Sequence, residues 1–339
     1  MLKLKNYWYI AAPSADLKEE PIRCCVEGEI LVLFRDASGT SHALEDRCLH
    51  RGMALSSGRV RGGCIECPYH GWQYAGDGSL LCVPALCDGE PIPHLKAIRY
   101  PVAERDDHIW VWIGDEPPVT EPFHFPRHGE KGWSSFFMHT RFEAPVEACL
   151  ENFLDVPHTI FVHPGLFRGA SQKATRARVR QLRDFVEAEF LDEGALQGLG
   201  PRLLFPRGTT MKHTDRFILP SISRVDYAFG DEYGFTITSQ CTQRTAGAVD
   251  VTTAITWRLP IPRWCDLAVK PFLMRYCRKV IGQDVKMLEI QGRQWKELGA
   301  SHCHTKADLL GRSISALRRR AAEGLPNAPE VIKEMQLRI

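Results

Sequence analysis

Hydrophobic positions between residues 20 and 114 fall in short runs that are separated by turn-forming residues. Residues 30–34 form one such run and are followed by a turn sequence at 36–39, and a later run covers residues 109–113. Short apolar runs that end at Gly, Asp and Ser are typical of β-strands. The pattern therefore predicts a small all-β domain, to which we assign residues 1–116.

A stretch rich in proline and charge follows, with prolines at positions 117, 118, 122 and 126. It shows no hydrophobic period, so we expect a linker that ends at about residue 132. The second predicted domain, 133–339, begins with a helix near Pro145, continues with strands over 172–262 and contains a long helix at about 266–298. Beyond it, a basic helical stretch around 318–320 and a proline-containing tail predict a solvated chain end.

Composition and charge exclude several classes of protein. Of the 339 residues, 44% are hydrophobic and 25% are charged, which is typical of a globular chain. The 43 Lys and Arg residues against 41 Asp and Glu leave a net charge of +2, too small to attract nucleic acid or an anionic membrane. No apolar stretch approaches the roughly 18 residues of a membrane span or forms a secretory core. We therefore expect a cytoplasmic protein without nucleic-acid or membrane partners.

The β domain contains two sequence loops that each pair a cysteine with a histidine. Cys48 and His50 form the pattern C-x-H, and Cys67 and His70 form C-x-x-H after sixteen intervening residues. Two chemistries fit this ligand set: one tetrahedral zinc ion, or a [2Fe-2S] cluster with both cysteines on one iron and both histidines on the other. Zinc loops usually contribute two like ligands, so one Cys and one His from each loop favours the cluster.

Acid and imidazole groups also concentrate in an apolar segment of the second domain, where Asn152 and Asp155 precede His158 and His163. Buried polar groups are costly unless they have partners, so we expect these side chains to share one site. On a regular helix the two histidines would lie about 140° apart, and joint metal binding therefore requires a break in the helix. Pro157 favours such a break because it lacks a backbone donor.

A third ligand completes this site if the metal is Fe(II). Two histidines and one carboxylate bind non-haem iron and leave positions open for dioxygen and substrate. Asp284 is the candidate, because it shares a face of the long helix with Ile281 and Leu288, where an isolated acid is unusual. Glu289 lies on a different face and is the weaker candidate.

Together, the two groups resemble the catalytic (alpha) subunit of the Rieske non-haem iron oxygenases. CLHRG at 48–52 and CPYHGW at 67–72 match the Rieske loops, and Asp155, His158 and His163 match the iron motif D-x-x-H-x-x-x-x-H. The likeness spans about residues 7–295, and Asn152 is placed as in the monooxygenase and demethylase subgroup. It implies an α+β fold: an all-β Rieske domain, then a helix-grip (Bet v 1/START-like) catalytic domain with a curved antiparallel sheet and a long C-terminal helix.

The resemblance also implies roles for single residues. The cluster ligands would be Cys48, His50, Cys67 and His70, and the ligands of mononuclear Fe(II) would be His158, His163 and Asp284. In a homotrimer, Asp155 would join His158 to His70 of an adjacent subunit as a bridge for electrons and protons. Asn152 would lie near the iron.

The implied activity is that of a terminal oxygenase, which uses O₂ and externally supplied electrons to hydroxylate or oxidatively demethylate a small organic, ring-containing substrate. The sequence has no G-x-G-x-x-G dinucleotide-binding unit, so NAD(P)H would act indirectly, through a ferredoxin and/or flavin reductase. Other outcomes stay open: desaturation or cis-dihydroxylation at the same iron, a Rieske electron carrier without oxygenase activity, and a zinc-stabilised binding module.

Overall fold

The computed structural model describes residues 2–164, 174–192, 209–300, 303–308, 310–325 and 330–338. The chain divides into two compact units. The first consists of Lys5–His124 with Thr242–Arg244, and the second contains the described residues of Met1–Leu4, Phe125–Cys241 and Thr245–Ile339. Each unit has its own buried hydrophobic clusters.

The first unit contains β1–β11, arranged in three sheets. These strands are β1 (Tyr7–Pro13), β2 (Ile22–Val26), β3 (Glu29–Arg35), β4 (Ser41–Glu45), β5 (Arg59–Arg61), β6 (Cys64–Glu66), β7 (Gln73–Tyr74), β8 (Leu80–Cys82), β9 (Arg99–Tyr100), β10 (Val102–Arg105) and β11 (His108–Ile113). The strand orders are β1-β11-β10, β2-β3-β4-β9 and β5-β6-β7-β8. One Cys-His loop, 67–72, joins β6 to β7 of the third sheet, and the other, 48–52, lies between β4 and β5.

The apolar runs of the sequence form the central strands of this unit. β3 and β4 pair through the turn at 36–40, where the Asp36 carboxylate accepts the backbone N–H groups of Ser38 and Thr40 at 2.8 and 3.0 Å. All six residues of β11 are buried, which explains why its sequence is apolar without alternation. The predicted all-β character is confirmed.

The second unit is built on one eight-stranded sheet in the order β12-β18-β17-β16-β15-β14-β13-β19. Its strands are β12 (Ser134–Phe142), β13 (Ala174–Gln181), β14 (Phe185–Phe190), β15 (Met211–Ile218), β16 (Ile222–Phe229), β17 (Tyr233–Thr245), β18 (Ala248–Arg258) and β19 (Val331–Arg338). Successive strands from β13 to β17 pair antiparallel, as do β12 with β18 and β13 with β19. The mixed α and β composition and the large antiparallel sheet agree with the predicted fold class.

Four described helices belong to this unit: α1 (Val146–Phe153), α2 (His158–Val162), α3 (Asp266–Leu298) and α4 (Gly311–Ala322). The long helix α3 contacts β12, α1 and α2. Gly292 allows the close approach of α3 to the segment before α1, because a Cβ at this position would lie 2.5 Å from the carbonyl oxygen of Glu143. None of the helices in the described ranges combines the length and hydrophobicity that a membrane crossing needs.

The C-terminal region differs from the predicted solvated end. Arg318 of α4 is only 2% exposed and donates to the carbonyl of Pro220, and β19 adds an edge strand beside β13. The sequence suggested exposure because Arg318–Arg320 are all cationic. In the structure, the apolar residues Ile314 and Leu317 of the same helix are buried and carry Arg318 inward with them.

Candidate metal centres

The two Cys-His loops of the first unit have the same backbone geometry. In the first loop, the N–H of Cys48 donates to the carbonyl of Met53 at 2.8 Å, and the N–H of Gly52 donates to the carbonyl of Cys48 at 2.9 Å. The loop 67–72 repeats both bonds at equivalent positions, at 2.8 and 3.0 Å. Each loop is thus closed on itself by hydrogen bonds that span only a few residues.

A glycine in the left-handed backbone region makes each closure possible. Gly52 and Gly71 both have a φ of 71°, which other residue types adopt only with strain. At Gly71 a Cβ would also lie 3.0 Å from the side chain of Pro84, whereas at Gly52 the nearest group, Arg47, would be 3.8 Å away. The second loop is therefore the more tightly constrained of the two.

The histidines of the two loops face each other. The ring centroids of His50 and His70 are 4.5 Å apart, and the ring of His50 stacks on Trp72 at 4.7 Å and 3°. The Nδ1 atom of His50 is buried and has no hydrogen-bond partner. Desolvation, with smaller contributions from His70 and Arg51, lowers the pKa of His50 and thereby favours the neutral ring. A neutral imidazole with an unused buried nitrogen is suited to bind a metal.

The cysteines of the two loops are both buried thiols. Cys48 and Cys67 are 1% and 2% exposed. The hydroxyl of Tyr74 accepts the backbone N–H of Leu49 at 3.0 Å and lies 3.2 Å from the Cys48 sulfur, to which its own hydrogen can donate. Burial, together with the neighbouring Cys48, raises the pKa of the Cys67 thiol. A bound metal ion would stabilise both sulfurs as thiolates, so two adjacent buried cysteines fit a metal centre.

In the second unit, the segment after α1 turns sharply before the first candidate iron ligand. Helix α1 ends at Phe153, and α2 starts at His158 directly after Pro157. Helix α2 is short, and His163 lies just beyond its end with φ −120° and ψ 54°. The break that joint binding requires therefore occurs at His163 itself. It brings the two imidazole rings to 5.3 Å between centroids.

The carboxylate of Asp284 on α3 lies against both imidazoles. Its Oδ1 atom is 3.1 Å from Nε2 of His163 and 3.6 Å from Nε2 of His158. The three candidate ligand atoms all lie within 4.8 Å of one another. Asp284 is 6% exposed; burial would raise its pKa, but the two histidines more than offset this effect and lower it. Glu289, the alternative acid, is exposed and pairs with Arg293 at 3.1 Å instead.

The remaining ring nitrogens are held by acceptors that fix the orientation of both histidines. Nδ1 of His163 donates to the side-chain oxygen of Gln283 at 2.9 Å, and Nδ1 of His158 donates to the main-chain carbonyl of Asp155. In the neutral tautomer that these bonds favour, each Nε2 atom has a lone pair directed toward the Asp284 carboxylate. Two imidazole nitrogens and a carboxylate oxygen that converge in this way fit a bound cation.

Asn152 and Asp155 border this group without joining it. The amide of Asn152 donates to Oδ1 of Asp284 at 3.5 Å, and its own oxygen is buried without a partner. The Asp155 carboxylate lies 3.7 Å from Nδ1 of His158, with 38% of its side chain exposed, and burial raises its pKa. Asn152, Asp155 and His158 also line a second cavity of about 410 Å³ that α4 helps to enclose.

A cavity of about 150 Å³ adjoins the three candidate iron ligands. Most of its wall is apolar and comes from the sheet and from α1, with Met138, Phe153, Val225, Phe235, Ile237 and Ile255 among the lining residues. Apolar walls with a few polar groups are typical of sites for small organic molecules. The arrangement therefore places a metal-binding group at the edge of a pocket for an apolar ligand.

Sequence reasoning missed four residues that the structure adds to these sites: Tyr74, Gln283, His213 and Asp215. Gln283 directly precedes Asp284 in the sequence. This position next to a candidate ligand was the only sequence signal for Gln283. His213 and Asp215 alternate on β15 and therefore lie on one face, but both of these buried positions are polar, so no hydrophobic alternation revealed which face lines the cavity.

Comparison with known families accounts for most of the chain. Residues 7–96 match the Rieske [2Fe-2S] domain, and residues 142–323 match the vanillate O-demethylase oxygenase C-terminal domain. The chain belongs to the Rieske non-haem iron oxygenases. This membership agrees with the donor sets, because two thiols with two imidazoles suit a [2Fe-2S] cluster, and two imidazoles with a carboxylate suit Fe(II). It decides against the zinc-stabilised module.

Several characterised oxygenases are similar to this Rieske oxygenase over about half of its length. Chlorophyllide a oxygenase of Chlamydomonas reinhardtii is 37% identical over 171 residues, which are 48% of this chain and 25% of the relative. Dicamba O-demethylase, oxygenase component, of Stenotrophomonas maltophilia is 31% identical over 166 residues, which are 48% of each chain. The matched region thus spans half or less of these relatives.

Solved structures extend the likeness of this Rieske oxygenase to nearly the whole fold. Dicamba monooxygenase bound to 3,6-dichlorosalicylic acid has a TM-score of 0.79 at 22% identity, with 95% of this chain and 98% of that chain covered. The Pseudomonas putida CBB5 NdmA QL mutant with caffeine has a TM-score of 0.74 at 20% identity, covering 97% and 96%. The predicted fold, a Rieske domain followed by a sheet-and-helix catalytic domain, is confirmed.

Proposed function

We propose that this protein is a terminal oxygenase that uses O₂ and externally supplied electrons to hydroxylate or oxidatively demethylate a small ring-containing substrate. One observation carries the proposal: His158, His163 and Asp284 converge at the edge of an apolar cavity. Family membership and the names of the relatives, which include a demethylase, support it. The cytoplasmic location expected from the sequence remains a prediction.

The residues divide the work of this reaction between them. Cys48, His50, Cys67 and His70 would hold the [2Fe-2S] cluster, and His158, His163 and Asp284 would hold the iron. Bound there, the cluster supplies single electrons and the iron supplies dioxygen activation. Gln283 and the Asp155 carbonyl keep the ligand nitrogens oriented, and the apolar wall excludes water from the substrate.

Asp155 is the residue that we propose to connect the two centres. Its carboxylate lies beside His158 and borders the second cavity, so it can accept a hydrogen bond from a group that approaches from outside. In the homotrimer implied by the resemblance, that group is His70 of an adjacent subunit. Electrons would arrive through a ferredoxin and/or flavin reductase, which takes hydride from NAD(P)H.

A reconstituted assay tests the oxygenase function. The holoprotein, NADH and a ferredoxin–reductase pair are incubated with methoxylated and methylated ring compounds, and O₂ uptake, formaldehyde and ring products are measured. Formaldehyde or a hydroxylated product in proportion to O₂ uptake supports the proposal. If the cluster is reduced but none of the compounds shown to bind causes O₂ uptake, the protein would be an electron carrier and not an oxygenase. A diol or alkene product would assign the alternative oxygenase reactions.

A further inference from the structure

The cavity beside the candidate iron ligands contains a buried hydrogen-bonded His–Asp pair that the proposed reaction does not use. His213 and Asp215 of β15 both line it, and each is 1% exposed. Nε2 of His213 lies 2.9 Å from Oδ1 of Asp215. Burial of two titratable groups is costly, and neither group belongs to the candidate iron ligands, so their presence calls for a role.

The sheet register shows that both side chains lie on the cavity face. His213 pairs with Tyr227, and Asp215 pairs with Val225 of β16, which in turn pairs with Ile237 of β17. Tyr227, Val225 and Ile237 line the same cavity. Directly paired residues lie on the same face of a sheet. The sheet register therefore places His213 and Asp215 on the face that forms the cavity wall.

Stacking fixes the orientation of the pair. The ring of His213 lies between Phe190 and Tyr227, with centroid distances of 4.5 and 4.4 Å and an interplanar angle of 16° on each side. A ring that is stacked on both faces cannot turn away from its partner. Its Nε2–H therefore donates steadily to Asp215 and holds the carboxylate in one position.

The chemistry of Asp215 determines which ligand group it can receive. An ionised carboxylate only accepts hydrogen bonds and has about four acceptor sites, of which His213 fills one. Among the described residues that line this cavity there is no Lys or Arg, and Asp155 adds a second acid, while the charge of Asp284 would be offset by the metal ion that it helps to hold. The wall beside Asp215 thus favours an N–H or O–H donor over an anion.

We infer that Asp215, positioned by His213, accepts a hydrogen bond from the substrate in this cavity. This inference rests on the oxygenase function proposed above. The substrate class is a neutral or cationic ring compound with a hydroxyl or amino group. Ring compounds whose only polar group is a carboxylate or sulfonate are disfavoured at Asp215, because two carboxylates side by side repel each other and neither has a proton to donate.

Four probes with the same ring and methoxy group separate these cases: 4-methoxyphenol, 4-methoxyaniline, 4-methoxytoluene and 4-methoxybenzoate. Their Kd values are measured on the anaerobic holoprotein by calorimetry. We expect the phenol and the aniline to bind at least about tenfold more tightly than the toluene, and the benzoate to bind most weakly. This ranking tests the inference on the unmodified protein. Equal binding of all four, or tightest binding of the benzoate, would overturn it.

Asp215→Asn then assigns the preference to one side chain. The amide can still accept from His213 but has no charge, so the advantage of the donor probes over the toluene should fall below about threefold, and the penalty on the benzoate should shrink. The matched control is Asp226→Asn. Asp226 lies on the neighbouring strand in register with Thr214, on the other face of the sheet, and bonds to Thr236 at 2.9 Å. This control should keep the original ranking.

The same probes separate failure of this inference from failure of the proposed function. Release of formaldehyde from all four probes with equal Kd values would keep the oxygenase and remove the role of Asp215. The expected Kd ranking without formaldehyde or ring oxidation from any probe would keep the binding site and remove the oxygenase. If Asp215→Asn keeps its cluster spectrum and melting temperature and the Kd ranking does not change, the role of Asp215 in substrate binding would also be ruled out.

Discussion

In the Rieske loops, Cys48 and Cys67 are oriented by hydrogen bonds to residues four and five positions away. The candidate iron ligands depend instead on packing between distant parts of the chain, since His163 and its partner Gln283 are 120 positions apart. A loop closed by its own backbone keeps its geometry when other elements shift. A site formed between α2 and α3 changes its geometry when either helix shifts. We therefore expect the protein to lose its mononuclear iron more easily than its cluster.

The sharpest test of this contrast removes one ligand from each centre. Asp284→Ala should abolish product formation, by at least about 10²-fold, and lower the iron content from about three ions per chain to about two, because one of three iron ligands is lost. The visible and EPR spectra of the cluster should not change. Cys67→Ser should instead remove the cluster spectrum and leave the mononuclear iron bound. If Asp284→Ala also bleached the cluster, the two centres would not be independent.

Asp155→Asn comes next in expected effect. The substitution leaves the main-chain carbonyl that holds His158, and it removes only the charge of the side chain. Both metals should be retained, while single-turnover electron transfer from the reduced cluster should slow by about 10- to 100-fold. Stopped-flow measurement of cluster oxidation in the presence of substrate and O₂ checks this. An unchanged rate would rule out the bridging role.

Gln283→Ala probes the hydrogen bond that orients His163. Loss of this acceptor should weaken binding of Fe(II) by about 10- to 100-fold, as measured by competition with a chelator, and should leave the cluster spectrum intact. Glu289→Ala, six positions further along α3, is the control, because its side chain is exposed and pairs only with Arg293 among the described contacts. Weakened iron binding in the control would return Glu289 to consideration as the third ligand.

Gly292→Ala tests whether helix packing positions Asp284. The added Cβ would contact the carbonyl oxygen of Glu143, so α3 must move, at a cost of about 1–3 kcal/mol in the free energy of unfolding of this unit. Iron should be released at lower chelator concentration. Gly282→Ala has open space around its Cβ and should be neutral or stabilising by about 0.5–1 kcal/mol. Equal effects of the two variants in thermal unfolding would contradict the packing argument.

The smallest expected effect concerns the loop glycines. Gly71→Ala should accelerate thermal loss of cluster absorbance, because a positive φ costs a residue with a side chain about 1–2 kcal/mol and Pro84 adds a contact. Gly52→Ala carries the same φ strain but no close contact, so its effect should be smaller. The opposite order would mean that the Pro84 contact does not constrain the second loop.

The same contrast explains how far sequence reasoning reaches. The Cys-His loops are local, so the residues that build them stand together in the sequence, as do His158 and His163. Asp284 was found from an acid on an apolar helix face, which is an indirect tertiary signal. Gln283 and the His213–Asp215 pair gave no such signal, because the partner of Gln283 is distant in the sequence and the buried positions 213 and 215 of β15 are polar rather than apolar. Arg318 was misread for a related reason: the burial of a long side chain depends on its neighbours in the fold.

The division of the cavity wall has a practical consequence for protein engineering. Oxygen chemistry depends on α2 and α3, whereas the opposite wall, with Val225, Ile237 and the His213–Asp215 pair, is carried by the strands. A mutant library restricted to the inward positions of β15–β17 would therefore alter which compounds are accepted while every metal donor stays in place. Catalysts for new compounds can be sought in that library without demetallation.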